Sequence, residues 1–489
     1  MKIQRYAGPF SGVETEALGL FLFKDQLSTL DKLEAEMAEH VRYVIETSKF
    51  KAEKGKILSI PMGKRAIRNC YIVGLGDIEK ADHDVLRYCS GELMRRVSGD
   101  NISSLIVSLP EDPDLYSSRA VTEGVLLASY SFDKYKTKKE EQEDKADIET
   151  VHLMNGNEEG IRIGTIFAEA QNYSRDLVNE PGNVINPASL ADKAEGLARE
   201  YGLSCEVWDE KKIYDEGMLG LWHVGKGSSV PPRFIHITYV PDGEPSSRLV
   251  FVGKGITFDS GGLNIKPGEH MRDMKGDKTG ACNVLGLIRG VGEIKPAVEV
   301  HVLIGAAENM PGGNSYRPDD IIRARNGKTI EIDNTDAEGR VTLADTLSYA
   351  SELKPDIIVD MATLTGACVV ALGNYTAGLF TNMDKAGQAF LDAASRSGER
   401  FWKLPMDDEK LREQIRSPFA DVLNTGGRWG GAITAAMFLE AFVEESIPWV
   451  HLDIAGVDSY KKPFGYNPEG ASGFGVRTCL ELVQGFKKN

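Results

Sequence analysis

Three short apolar runs in the second half of the chain limit its fold more than any other feature. Arg248–Val252 (RLVFV), Val298–Ile304 (VEVHVLI) and Asp356–Val359 (DIIV) are rich in β-branched residues and flanked by turn or charged residues. Each is followed by a polar loop and then by apolar residues at helical spacing. Runs of this kind read as buried strands that alternate with helices, the pattern of an α/β sheet. In such sheets ligands gather at the carboxyl ends of the strands. The polar residues just after these runs are therefore the first functional candidates.

The first half repeats the pattern on a smaller scale. Cys70–Leu75 (CYIVGL) and Ile102–Leu109 (ISSLIVSL) read as strands, and Asp84–Arg96 as a helix. Ile163, Ile166, Phe167 and Ala170 form a helical stripe that ends before Pro181 and Pro187. The expected architecture is a smaller N-terminal α/β domain over 1–157 and a linking helix over 158–178. A larger catalytic α/β domain over 179–489 would follow, around a central mixed, mostly parallel sheet. The most polar stretch, Lys134–Asp147 (KYKTKKEEQEDKAD), reads as a solvated segment or hairpin near the end of the first region.

Charge and cysteine usage narrow the function classes. With 57 Lys+Arg against 73 Asp+Glu the net charge is −16, which argues against a broad nucleic-acid or anionic-membrane surface. The one apolar run near the N-terminus, Leu18–Phe23, is too short for a signal-peptide core. No stretch approaches the ~18–20 apolar residues of a membrane helix. The six cysteines lie far apart with no CxxC pair, which fits reduced thiols and a cytoplasmic protein.

Two charged clusters sit at strand-to-helix transitions. Gly253–Ala281 (GKGITFDSGGLNIKPGEHMRDMKGDKTGA) places Lys254, Asp259, Lys266 and Asp277 in a glycine-rich stretch after RLVFV. Asn334–Arg340 (NTDAEGR) follows the alternating segment Lys328–Asp333 and precedes Leu343, Leu347 and Ala350 at helical spacing. Taken singly, such acids are most often surface loop residues. If they converge, they repel one another unless cations neutralise them, and carboxylates suit Mg²⁺, Mn²⁺ or Zn²⁺. None of the eight histidines has ligand spacing, so bridging carboxylates favour a two-metal hydrolytic site. Gly220–Lys226 has the spacing of a phosphate loop, but Gly227 stands where a Ser or Thr is needed. Cys282 and Cys368 read as small buried residues.

The joint pattern resembles a known family. VGKGITFDSGG followed by IKP, MKGD and NTDAEGR is similar to the leucyl aminopeptidases, cytosolic two-metal exopeptidases. Phe132–Lys136, Arg175–Pro187, Met361–Ala367 and His451–Val457 also match that family, so the resemblance covers most of the chain from about residue 130 onward. It implies two divalent ions, Mn or Zn with Mg or Co also tolerated, ligated by Lys254, Asp259, Asp277, Asp336 and Glu338. Asp259 and Glu338 would bridge the ions, and Lys254 would ligate as a neutral amine that titrates far below a free lysine. Lys266 would stay charged and polarise the scissile carbonyl, and Arg340 would hold a bicarbonate ion serving as base. Met274, Asn334, Thr363, Leu364 and Gly366 would contact substrate, Leu364 through a backbone N–H near the oxyanion.

The implied activity is release of N-terminal residues, preferably leucine and other apolar residues, from peptides with a free amine. The implied assembly is a homohexamer. The chain departs from the family in Lys278-Thr279, where Met-Gly or Met-Ser is commoner, and in Val341. Lys278 is expected to alter the neighbouring pocket or its charge. Hydrolysis of Cys-Gly conjugates or of a phosphoester is the competing reading from the same chemistry, and a DNA-binding family member is one from another class. The scarcity of cations in the clusters opposes phosphoester work, and the −16 charge opposes DNA binding.

Overall fold

A computed structural model describes residues 1–63, 67–137 and 148–487. The chain forms two compact units, 1–169 with 461–469, and 170–460 with 470–489. Much of the predicted polar stretch Lys134–Asp147, including most of the expected hairpin, lies outside the described residues.

The first unit holds a six-stranded sheet of β1 (Lys2–Tyr6), β2 (Ala17–Phe23), β3 (Ile57–Pro61), β4 (Asn69–Gly76), β5 (Ser104–Ser108) and β6 (Thr150–Met154). Its order is β1-β6-β5-β2-β4-β3, and only β3 runs antiparallel to its neighbour. The early apolar run Leu18–Phe23 is most of β2, a buried interior strand. Alternate side chains of a strand face opposite sides. Ala17 and Phe21 accordingly pack with Leu93 and Val121, whereas Leu18, Leu20 and Leu22 pack with Val41 and Ile45 of the Ala35–Ser48 helix. The late segment Lys461–Glu469 belongs to this unit, a return that no composition shift marks. Its Gly465 N–H donates to Glu92 Oε1 at 2.6 Å and its Tyr466 hydroxyl to Asp84 Oδ1 at 3.0 Å.

The second unit is built on β7 (Ser204–Trp208), β8 (Arg233–Tyr239), β9 (Arg248–Asp259) and β10 (Glu299–Asn309). A hairpin of β11 (Ile321–Arg323) and β12 (Thr329–Glu331) follows, turning at Asn326-Gly327. The remaining strands are β13 (Ile357–Ala362), β14 (Ala377–Thr381), β15 (Phe401–Lys403), β16 (Val422–Leu423) and β17 (Trp449–Asp453). The main sheet is ordered β15-β14-β17-β13-β9-β10-β8-β7, with a parallel centre β17-β13-β9-β10 and antiparallel pairings towards both edges. All three predicted buried runs fall in this centre. Val250, Val252, Leu303, Ile358 and Trp449 are fully buried against Leu343 and Leu347 of the Glu338–Glu352 helix and Phe438 of a later one.

The Gly220–Lys226 near-match to a phosphate loop falls on a helix, Leu219–Gly225, and not on a loop. Cys282 and Cys368 are buried, as expected. Among the described residues, no helix is long and apolar enough to cross a membrane.

Candidate metal centre

β9 continues past its apolar run and carries Lys254 and Asp259 along its carboxyl-terminal half, beside Gly305 and Asn309 of β10. The chain then turns at Gly261 and Gly262, both at positive φ, a region that side-chain-bearing residues rarely adopt. Thr335 fastens this turn. Its hydroxyl donates to Gly261 O at 2.7 Å, and its N–H donates to Asn264 Oδ1 at 2.9 Å. The two charged clusters, distant in sequence, are thereby laced together. Lys266 returns over the site through its N–H to Ser260 O at 2.9 Å.

Asp277 sits in the Met274–Lys278 turn that leads into the Thr279–Ile294 helix, and Glu338 opens the Glu338–Glu352 helix. All of these ends converge. Lys254 Nζ lies 2.7 Å from Asp277 Oδ1 and 3.0 Å from Glu338 Oε1, and donates to Thr363 O at 3.0 Å. Lys266 Nζ lies 2.8 Å from Asp259 Oδ2 and 2.6 Å from Asp336 Oδ1. Asp259 Oδ1 accepts from Gly261 N–H at 2.9 Å and from the Asn309 amide at 2.8 Å. Carboxylate oxygens of Asp259, Asp336 and Glu338 can all lie within 4.8 Å of one another, the one grouping of metal-binding size among the described residues.

This packing is electrostatically costly for the protein's own groups. Burial pushes the carboxyls of Glu338, Asp277 and Asp336 above their ordinary range, and Asp259 beside them adds repulsion. Buried oxygens Asp277 Oδ2 and Glu338 Oε2 have no hydrogen-bond partner. An acceptor-only, all-oxygen set with orphaned buried atoms is what hard divalent cations satisfy. For Lys254, burial alone would lower its titration, but Asp277, Glu338 and Asp259 outweigh it and raise the value. The depression implied for a ligating amine therefore requires a cation strong enough to reverse that balance.

These side chains line a cavity of about 260 Å³ together with Arg340, Met274, Thr363, Leu364 and Gly366. A larger groove of about 590 Å³ near Met383 and Phe486 has no such grouping, so volume does not locate the chemistry. Arg340 is buried, its Nη1 donates to Asn424 O at 2.9 Å, and its Nε has no partner. Burial lowers its guanidinium to about 10.

Two predicted contacts are arranged differently. Asn334 does not line the cavity; its side-chain oxygen accepts from Asp336 N–H at 2.8 Å and so shapes the turn that presents Asp336. The Leu364 N–H, expected near an oxyanion, donates to Asp453 Oδ1 at 3.2 Å. The expectation for Lys278 is corrected outright. Its side chain is fully buried outside the cavity, and its ammonium donates to the carbonyls of Val178, Glu180 and Lys275 at 3.1, 2.9 and 2.7 Å. Cation donors suit a helix C-terminus, and Val178 belongs to the last turn of the Glu158–Asn179 helix. The lysine thus anchors the turn that carries Asp277 and leaves the charge of the pocket unchanged.

Sequence reasoning missed Asn309, Asp273, Ala455 and Asp458. Asn309 ends β10, so the strand-end rule applied to it. Ala455 and Asp458 follow β17 directly and line the cavity, within and just beyond the His451–Val457 match.

Residues 172–480 match the model of the cytosol aminopeptidase family, catalytic domain, and residues 17–139 match that of its N-terminal domain. A "Probable cytosol aminopeptidase" of Aquifex aeolicus is 55% identical over 491 residues, covering 100% of this chain and 99% of the relative. Another, from a Sulfurihydrogenibium species, is 48% identical over 489 residues, covering 98% and 97%. Among solved structures, the manganese complex of the bottromycin maturation enzyme BotP superposes with a TM-score of 0.86 at 34% identity, covering 96% of this chain and 99% of that one. A mutant of tomato leucine aminopeptidase superposes with a TM-score of 0.89 at 32% identity, covering 99% and 96%. The chain belongs to the cytosol aminopeptidase family, and its chemistry is that of a metal-dependent aminopeptidase.

Proposed function

We propose that this member of the family removes the first residue of peptides with a free N-terminus, using two divalent ions held by Lys254, Asp259, Asp277, Asp336 and Glu338. The observation that carries the reading is the convergence of these donors from separate loops, with the buried oxygens of Asp277 and Glu338 left without partners. Manganese is the first candidate, since the BotP relative was solved with it, and zinc the second. When bound, such ions supply Lewis acidity towards a peptide carbonyl and lower the pKa of water.

The chain's own residues do the rest. Burial opposes the charge on Lys266, but Asp259 and Asp336 prevail and hold its titration above the ordinary lysine value. It therefore stays protonated and faces the cavity as a fixed cation for a developing oxyanion. Asn309 and Gly261 fix Asp259, and the Thr363 hydroxyl fixes Asp277 by donating to its Oδ1 at 2.7 Å. Arg340, buried with an unpartnered Nε, would hold a bicarbonate ion, whose chemistry there is that of a proton acceptor. Met274, Thr363 and Gly366 would meet the first side chain. Such an apolar contact discriminates by only ~1–3 kcal/mol per methylene, so leucine and similar residues are all admitted. The resemblance to the leucyl aminopeptidases implies a homohexamer, and the name of the relatives, cytosol aminopeptidase, supports a cytoplasmic setting.

The test is hydrolysis of leucine-p-nitroanilide beside its N-acetylated form, after chelation and again with Mn²⁺ or Zn²⁺ restored. Cleavage of the free-amine substrate alone, lost with chelator and regained with metal, is expected. Metal-loaded protein inactive on both would overturn the reading. Sedimentation as a monomer at micromolar concentration would remove the hexamer.

A further inference from the structure

Asp453 is a fully buried carboxylate that stands outside the metal centre. It ends β17 beside Ala362, the last residue of β13, and it does not line the cavity. Its Oδ1 accepts from the N–H groups of Leu364, Thr365 and Ala455 at 3.2, 3.4 and 3.2 Å. Its Oδ2 accepts from the Thr365 hydroxyl at 2.6 Å. That hydroxyl accepts in turn from Cys368 N–H at 3.0 Å and so caps the Gly366–Leu372 helix. Burying a carboxylate is costly unless hydrogen bonds offset it. Here the donors come from the two short stretches that leave the ends of β13 and β17.

The first of these stretches also holds two of the metal donors. Thr363, directly before Leu364, donates its hydroxyl to Asp277 Oδ1 at 2.7 Å and offers its carbonyl to Lys254 Nζ at 3.0 Å. The remaining acids are steadied from elsewhere. Asp259 is fixed by Asn309 and Gly261, and Asp336 by Asn334, in loops that Thr335 and Asn264 tie together. The supports of the centre therefore fall into two sets that share no residue.

Resting on the two-metal reading above, we propose that Asp453 is a positioning residue for one half of that centre. By fixing Leu364 and Thr365 it sets Thr363, and through Thr363 the placing of Lys254 and Asp277 around one ion. The ion held by Asp336 relies on the other supports. Outer partners of metal ligands are typically worth ~10–100-fold in metal affinity or activity. Loss of Asp453 should accordingly fall on one binding step of the two.

The experiment measures Mn²⁺ binding by equilibrium dialysis, with kcat on leucine-p-nitroanilide followed as Mn²⁺ is raised. The proteins are the wild type, Asp453→Asn, Thr365→Val, Asp277→Ala and the Asp277→Ala, Asp453→Asn double variant. Asparagine keeps the volume of Asp453 but sets a donor against a donor, whichever way its amide turns. The wild type should bind two ions. Asp453→Asn should weaken one step by about tenfold or more, leave the other within about threefold, and regain kcat at high Mn²⁺. Thr365→Val removes only the hydroxyl and should weaken the same step by about threefold. In the Asp277→Ala background, Asp453→Asn should change binding by less than about twofold, because the step it acts on is already lost. Both steps unchanged, or both weakened alike, in Asp453→Asn overturns the proposal, and Thr365→Val decides in the same terms if Asp453→Asn does not fold. Full additivity in the double variant, or a loss of kcat that Mn²⁺ does not reverse, also overturns it. A wild type that binds fewer than two ions overturns the two-metal reading, and this proposal with it.

Discussion

Replacing Gly339 by alanine should separate catalysis from folding in this protein. Gly339 lies in the first turn of the Glu338–Glu352 helix, where alanine is intrinsically better by about 1 kcal/mol. A Cβ there would stand 2.3 Å from Lys254 Cε, 2.5 Å from its Nζ and 2.8 Å from its Cδ. Carbon atoms in contact keep ~3.5–4.0 Å, so the end of Lys254 must move by about 1 Å. It has little freedom, since its ammonium is held by Asp277, Glu338 and Thr363 O, and its side chain is only 4% exposed. Overpacking costs ~1–3 kcal/mol, partly offset by the helix preference, so net stability should stay within about 2 kcal/mol of wild type. A misplacement of about 1 Å in a catalytic constellation costs on the order of 100-fold in rate. The assay is kcat on leucine-p-nitroanilide at saturating Mn²⁺, with bound metal measured by elemental analysis and Tm by calorimetry. Gly313→Ala, where nothing lies within 4 Å of the new atom, is the neutral control. A Gly339→Ala protein with kcat within threefold of wild type would refute the argument that Lys254 has no slack.

Lys278→Ala should lower unfolding free energy by about 2–4 kcal/mol, because three main-chain carbonyls lose a charged donor and the buried stem leaves a void. Lys278→Met refills the void without the donor and should recover about half; full recovery in urea denaturation would show that the carbonyls do not depend on the ammonium. Burial, with the His301 ring alongside, holds the His236 imidazole down at about 4. A depressed histidine leaves stability complete above its unfolded pKa of ~6.5 and removes it as pH falls through the folded value, here up to about 3 kcal/mol. His236→Gln should flatten that part of the profile, and parallel stability curves for the two proteins between pH 7 and 4 would contradict the assignment. Lys254→Ala and Asp277→Ala should each deplete bound metal, whereas Lys266→Ala should keep it and lose about 100-fold or more in kcat. Equal metal loss in all three variants would break the division of roles.

The sequence alone determined the local facts. Three β-branched runs without alternation had to be buried strands, and their polar successors had to lie at strand ends. Lys254 and Asp259 are legible on that basis and Glu338 at the strand-to-helix transition after Lys328–Asp333, whereas the resemblance supplied Thr363 and the grouping. What the sequence could not carry was adjacency between distant strand ends, because periodicity encodes which face a residue takes and not which strand lies beside it. Only the order β17-β13-β9-β10 sets Asp458 and Ala455 into the cavity of Lys254 and Asp277 and puts Asn309 on Asp259. Only packing decided that Lys278, read as a change to the pocket, turns instead to the carbonyls at the end of the Glu158–Asn179 helix. A buried ammonium must find acceptors; one, Lys275 O, is local, but the other two lie about a hundred residues away in sequence, at a helix end whose position is a property of the fold.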